Sequence, residues 1–158
     1  MAVSNEEFRA ALGRFASGVT VVTTKDRADG LHGITVSAFC SVSLNPPLIL
    51  VCIDNRSSSL EHLAEGSYFA VNVLSEDQQH LSQKFASRDP NRFSGVDFKE
   101  SEATRSPLLD YAIAHLECRT VYNYPAGDHT IIVGEVEVVQ VSDEKPLLYC
   151  RGGYQKMA

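Results

Sequence analysis

The sequence predicts a mainly β protein, a closed or nearly closed antiparallel barrel with a few short helices outside it. Three observations carry that expectation. Segments that are β-branched or alternate in polarity recur along the 158 residues, and such patterns read as strands. The helical segments between them are short and do not alternate regularly with the strands, which argues against a doubly wound parallel sheet. Turn signals such as Asp29-Gly30 and Pro125-Ala126-Gly127-Asp128 separate neighbouring strands, as antiparallel connections require.

From the N-terminus, Ser4 to Ala16 reads as a helix. Ser4 and Glu7 have capping-box spacing, Phe8, Leu12 and Phe15 share a face, and Gly18 ends the segment. Val19 to Thr24 is β-branched and reads as a strand. After the Asp29-Gly30 turn comes the alternating segment discussed below, which Pro46-Pro47 breaks. Leu48 to Ile53 is continuously apolar, the pattern of a buried strand. Ser58-Ser59-Leu60-Glu61 repeats the capping-box pattern and is expected to open a short helix that Gly66 closes. Tyr68 to Leu74 is a strand. Ser75 and Gln78 are expected to cap a helix to about Ala86, with Leu81 and Phe85 inward. Arg88 to Pro107 is polar and irregular and reads as a long loop. Ile113 to Tyr122 and Thr130 to Val141 read as two strands around a turn, and Leu147 to Cys150 as a short last strand. No repeat, low-complexity segment or linker divides the chain, so residues 1–158 are expected to form a single domain.

The most informative segment is Gly33 to Leu48. Ile34, Val36, Ala38, Cys40, Val42 and Leu44 fall on one face of a period-two pattern, and Thr35, Ser37, Phe39, Ser41 and Ser43 on the other. A row of hydroxyls both donates and accepts hydrogen bonds. It suits a flat polar heterocycle better than a metal or a nucleophile. An antiparallel strand with one wet face explains the same pattern.

Composition narrows the function classes. The net charge of -6 and the lack of a Lys/Arg cluster argue against nucleic acid or an anionic membrane as partner. No apolar run reaches membrane-spanning length. The first residues carry acids where a secretion signal needs a basic patch, so a cytoplasmic protein is expected. Cys40, Cys52, Cys118 and Cys150 show no CxxC spacing and read as buried reduced thiols. The five histidines form no HExxH or i,i+4 pair, so spacing predicts no metal site.

Among short motifs, Gly13 to Thr20 mimics a phosphate-binding P-loop, but Val19 stands where the lysine belongs. Asp54 to Ser59 lies between a buried strand and an expected helix start, where three serines and Arg56 could hold a phosphate or simply cap the helix. Arg88 and Arg92 could add charge-assisted bonds. His129, after the Gly127-Asp128 turn, is placed at a barrel rim. There is no GxSxG elbow and no carboxylate pair at a strand end. Bindable hydroxyls without an acid–base engine point to a cofactor that carries the chemistry.

GRFASGVTVVTT, GITVSAFCSVSLNPPL, DNRSSS, YFAVNVL, FASRDPNRF, GDHTIIVGEV and a terminal GGY occur in this order. With these motifs, the chain resembles the short-chain flavin reductases over roughly Phe8 to Tyr154. These are the NAD(P)H:flavin oxidoreductase components of two-component flavin monooxygenases. The resemblance implies the FMN-binding split barrel, an antiparallel Greek-key barrel acting as a homodimer. It implies that Thr35, Val36, Ser37 and Ala38 line the isoalloxazine, flanked by Cys52, Ile53 and Asp54. Ser57, Ser58 and Ser59 would take the phosphate. Phe85 and Arg92 would close over the ribityl-phosphate or adenylate side. His129 would contact the nicotinamide nucleotide, with Tyr154 packed nearby. The flavin is FMN or FAD. The hydride donor is NADH or NADPH, with NADH favoured because no basic cluster marks a 2′-phosphate site. The implied partner is a separate monooxygenase that receives reduced flavin. Two other readings of such a barrel stay open: an FMN-dependent oxidase of the pyridoxine-phosphate oxidase type, for which no basic phosphate pocket stands out, and a non-catalytic flavin or haem module.

Overall fold

The computed structural model describes residues 2–158. Helix α1 (Asn5–Leu12) leads into β1 (Ser17–Gly18), β2 (Thr20–Lys25), β3 (Leu31–Val36), β4 (Phe39–Leu44) and β5 (Pro47–Asp54). A single 3-10 turn, η1 (Leu60–Leu63), precedes β6 (Tyr68–Val73) and α2 (Gln79–Ala86). Then come β7 (Phe98–Glu100), β8 (Pro107–Leu109), the long hairpin of β9 (Ala114–Ala126) and β10 (His129–Val141), and finally β11 (Leu148–Cys150) and β12 (Gly153–Gln155).

The main sheet has seven strands in the order β3-β2-β6-β9-β10-β5-β4, and all its pairs are antiparallel. Its two edge strands, β3 and β4, are consecutive in the chain and separated only by Ser37 and Ala38. That short link turns the chain from one sheet edge to the other, and the Cys52 N–H donates to the Ala38 carbonyl at 3.0 Å, extending the β4–β5 ladder into it. The expected barrel is therefore present, and its seam falls within the hydroxyl-rich segment.

Inward side chains alternate with outward ones, as pleating demands. On β5, Ile49, Val51 and Ile53 are buried while Leu48, Leu50, Cys52 and Asp54 are only half-buried. They join Val22, Val36, Phe69, Val71, Cys118 and Ile132 in the barrel core. Gly134 on β10 belongs to this packing, because a Cβ there would meet the Phe69 ring and the Cys118 side chain. A second core, of Val19, Val21, Leu74, Leu81, Phe85, Leu109 and Leu147, binds α2 and the 88–110 segment to the outside of the barrel.

Several local expectations are corrected. The alternating segment is two strands, and Cys40, Val42 and Leu44 do not continue the buried face of Val36: Leu44 is 95% exposed. Period two identifies a strand but does not say which face meets a core. The N-terminal helix has its capping box, with Glu7 N–H donating to Ser4 Oγ at 3.2 Å. It stops at Leu12 rather than running to Ala16, and Phe8, Leu12 and Phe15 are exposed. Ser17 and Gly18 instead pair with β11. Ser58 and Ser59 open one 3-10 turn, with no side-chain cap. Ser75 does not cap α2. Its N–H donates to Gln78 Oε1, and Gln78 Nε2 donates to the Asp110 carbonyl. The expected 88–107 loop contains the β7–β8 hairpin. Cys118 is the one fully buried thiol. Cys52 and Cys150 are half-buried and Cys40 is exposed.

Candidate functional site

The strand end of β5, the serine turn after it and the C-terminal end of α2 enclose a cleft of about 530 Å³. Asp54, Arg56, Ser57 and Ser58 form one wall, and Phe85, Ala86, Ser87, Arg88 and Arg92 the other, with Ile34 at the base. The elements meet here for a steric reason. Gly33 on β3 carries no side chain, and a Cβ at that position would collide with the Phe85 ring and crowd Phe93. The glycine thus lets α2 lie close enough to β3 for Phe85 to be fully buried beneath the cleft.

The charge balance favours an anion. Arg56 is held by Asp54, with Nε and Nη2 donating to the two carboxylate oxygens at 3.1 and 2.8 Å. These bonds, with the Arg56 backbone N–H as second cause, hold the Asp54 carboxyl well below the usual carboxylate range. The negative charge at Asp54 is thereby compensated within its own turn. Arg92 donates from Nη1 to the Phe85 carbonyl at 3.3 Å. Among the described residues, neither Arg88 nor Arg92 has a carboxylate within ion-pair distance. Ser59 is buried, and its hydroxyl has no hydrogen-bond partner. Because η1 is only four residues long, the macrodipole of a regular helix contributes little, and the side chains carry the anion affinity.

A larger cavity, about 690 Å³, lies on another face, and Glu76, Asp77, Asp97, Asp110 and Glu144 are among its lining residues. Carboxylates on that scale repel a phosphate, so size alone does not select the site.

Of the residues singled out from the sequence, Asp54, Ser57, Ser58, Phe85 and Arg92 share the cleft. Ser37 and Ala38 are exposed at the barrel seam. Thr35 spends its hydroxyl on the Ser82 carbonyl of α2, at 2.7 Å. Val36 and Ile53 point into the core, so only their backbone faces outward. Cys52 lies on the outer face of β5, and burial pushes its thiol pKa up. His129 is not a lining residue. It sits opposite Asp54 in the β5–β10 ladder, with Nδ1 2.6 Å from Asp128 Oδ1. Tyr154 also lies outside the cleft, with its hydroxyl 2.8 Å from Ser82 Oγ. Ser82 therefore links Tyr154 to Thr35, a role that sequence reading missed. Its signal was a serine on the buried face of an amphipathic helix, beside Leu81 and Phe85.

Burial makes Cys52 and Cys118 poor nucleophiles. Burial pushes Cys118 up to about 12, so it stays protonated. The cleft thus offers cations, hydroxyls and an apolar floor, which suits binding and orientation of a phosphorylated aromatic ligand.

Comparison with known proteins settles the lineage. Residues 12–158 match the model of the flavin reductase like domain. The chain belongs to that family. It is 39% identical over 155 residues to the reductase subunit HsaB of a flavin-dependent monooxygenase from Rhodococcus jostii, covering 97% of this chain and 78% of that protein. It is 42% identical over 153 residues to an NADH-dependent flavin reductase from a Rhodococcus species, covering 94% and 84%. Among solved structures, the NADH:FAD oxidoreductase SgcE6 of Streptomyces globisporus superimposes with a TM-score of 0.92 at 35% identity, covering 100% of this chain and 97% of that one. The mainly β split-barrel class and the oxidoreductase class expected from the sequence are borne out.

Ser37→Val is expected to leave stability within about 0.5 kcal/mol, since Ser37 is exposed. If its hydroxyl meets the ring, the flavin Kd rises by up to about tenfold. A flavin titration showing wild-type affinity removes Ser37 from the site.

Proposed function

We propose that this flavin reductase-like domain is an NADH:flavin oxidoreductase that binds FAD or FMN at the Asp54–Arg92 cleft and delivers reduced flavin to a separate monooxygenase. The observation that carries this reading is the pair of uncompensated arginines facing Ser57 and Ser58 over the apolar floor of Phe85. These residues fit a flavin: the arginines and serines would hold its phosphate, and the unpartnered Ser59 hydroxyl is a further donor in the same turn. Ser37 and Ala38, with Cys52 behind them, would border the ring at the barrel seam. NADH supports the choice of donor because that name is carried by a relative. A related oxidoreductase has been solved with NAD and FAD fragments.

When bound, the flavin supplies the redox chemistry by accepting hydride from the nicotinamide. The chain's own share is to bind, orient and exclude water. No side chain at the cleft is placed as an obligatory acid or base, and alignment of two rings is itself worth several powers of ten in rate. Cys52, beside the seam, and Asp54, in the cleft, are both on the outer face of β5, and His129 pairs with Asp54. His129 would touch the nicotinamide nucleotide, and Tyr154 would brace β3 through Ser82.

The decisive assay is NADH consumption by the purified protein with free flavin under air. Steady turnover dependent on both substrates supports the reductase. No turnover with either flavin and either nucleotide overturns it. His129→Ala is expected to raise the KM for NADH about three- to tenfold, the loss of one hydrogen bond, with flavin affinity near wild type. A fall in kcat as well would mark an aligning role, whereas unchanged kcat/KM would place the nicotinamide elsewhere.

We further propose a homodimer. Phe8, Leu12 and Phe15 of the N-terminal segment and Val42 and Leu44 of β4 are exposed, more apolar surface than single exposed residues need explain. A two-fold contact is the common way to cover such faces. Sedimentation of the active protein as a 17.3 kDa monomer would contradict the dimer. Among the described residues no helix is long and apolar enough to cross a membrane. A cytoplasmic location fits a supply of NADH.

A further inference from the structure

The β2–β3 hairpin brings Asp26 and His32 together, and η1 adds His62 from thirty residues further along the chain. Register places Thr24 opposite His32 and Lys25 opposite Leu31, so Asp26 begins the turn beside His32. Asp26 Oδ1 accepts the backbone N–H groups of Ala28 and Gly30, each at 2.8 Å. Glycine at position 30 leaves room for the Asp26 carboxylate, which a Cβ there would displace. With Oδ1 fixed, Oδ2 faces His32 Nε2 at 2.8 Å. The His62 ring lies over the His32 ring with centroids 3.9 Å apart and planes tilted by 33°.

We propose that Asp26, His32 and His62 form a binding site for a divalent transition cation of the Zn2+ type. One ligand atom from each residue lies within 4.8 Å of the others. A tetrahedral ion with bonds of about 2.0–2.1 Å holds its ligands about 3.3 Å apart, so binding would draw the three donors together from their present spacing. Two imidazoles and one carboxylate are the donors that borderline cations prefer. The two backbone bonds to Oδ1 supply the outer-shell orientation that metal carboxylates require.

Solvent access and a fourth position are also present. A cavity of about 410 Å³ opens on Asp26 and His62 and is also lined by Glu61. Glu61 Oε1 lies 3.6 Å from His62 Nε2. Two cations, Lys25 and Arg27, line the same cavity. Lys25 is engaged by Glu100 at 2.6 Å and Asp29 at 3.4 Å, which reduces its repulsion of an ion. The stacking of His62 on His32 is a packing contact that holds the second imidazole within reach of the Asp26–His32 pair. A bound ion would tie η1, which follows Ser57–Ser59 directly, to the β2–β3 hairpin, and so stiffen the serine turn. The site does not depend on the flavin reading.

The test uses the full chain, treated with a chelator and dialysed, then titrated with Co2+ and competed with Zn2+. One equivalent of Co2+ should bind with visible ligand-field bands. Zn2+ should displace it, and the unfolding temperature should rise with metal concentration. His62→Gln and, separately, His32→Gln should each weaken Co2+ binding by about tenfold or more. Far-UV circular dichroism identifies a variant that fails to fold, and the other then decides. His80→Gln, at an exposed histidine outside the cluster, should bind as wild type. No Co2+ uptake by the wild type, wild-type affinity in a folded His62 or His32 variant, or loss of binding in His80→Gln overturns the proposal.

Discussion

Asn72→Ala is expected to lower the unfolding free energy by about 3 kcal/mol. Asn72 on β6 is fully buried. Its Nδ2 donates to the Val21 carbonyl and to Thr23 Oγ1, both at 2.9 Å, and its Oδ1 accepts the Leu109 N–H at 2.9 Å. Thr23 Oγ1 in turn donates to the Pro107 carbonyl. Alanine leaves the Leu109 N–H buried without a partner and opens a small cavity. An orphaned buried donor alone costs about 1–3 kcal/mol. The same bonds fasten β8, and with it the segment that carries Arg92 and Phe93, to the barrel wall. Flavin affinity should therefore fall along with stability. Urea unfolding at fixed protein concentration checks this. A midpoint shift worth less than about 1 kcal/mol at unchanged slope would show that neighbouring groups take up the freed partners.

This network explains a good part of what the sequence hid. Strand existence was legible wherever β-branched runs or alternation were long, as in β2, β5, β6, β9 and β10. The β7–β8 hairpin was not, because each strand has three residues and β8 begins with a proline. What holds that region is polar and non-local. Besides Asn72, the buried Glu117 on β9 accepts hydroxyl bonds from Ser101 and from Thr104, the latter at 2.8 Å. A buried carboxylate bonded to two hydroxyls leaves no periodic trace.

The serine turn shows the opposite case. DNRSSS was legible as a candidate phosphate segment at a helix start, and the structure replaces that helix with one 3-10 turn beside a cleft. The cleft's charge comes from side chains of α2's C-terminal flank, which only the packing of Phe85 on Gly33 brings opposite Ser57 and Ser58. The alternation from Ile34 to Leu44 likewise identified strand and failed on burial. Closure of the sheet at Ser37-Ala38 turns Val42 and Leu44 away from the barrel core. The homodimer proposed above would cover that face, and a one-chain pattern carries no sign of it.

Arg92→Ala should raise the flavin Kd by about 10- to 100-fold, the equivalent of a charge-assisted bond of about 1.5–3 kcal/mol. The size follows from what else is in the cleft. Arg56 is neutralised by Asp54, so Arg88 and Arg92 carry the positive charge, and Arg92 is the less exposed of the two. Its bond to the Phe85 carbonyl holds the guanidinium toward the serine turn, so little ordering cost remains when a phosphate arrives. Folding should lose about 1–2 kcal/mol, because Phe85 is fully buried and its carbonyl loses this donor. Arg92→Lys should recover only part of the affinity, since an ammonium keeps the charge but loses the planar fork. Added salt should weaken flavin binding to the wild type more than to Arg92→Ala. Riboflavin, which has no phosphate, should bind both proteins alike. A wild-type FMN Kd in the alanine variant, or an equal loss for riboflavin, would move the phosphate away from Arg92 and leave the cleft without its anion.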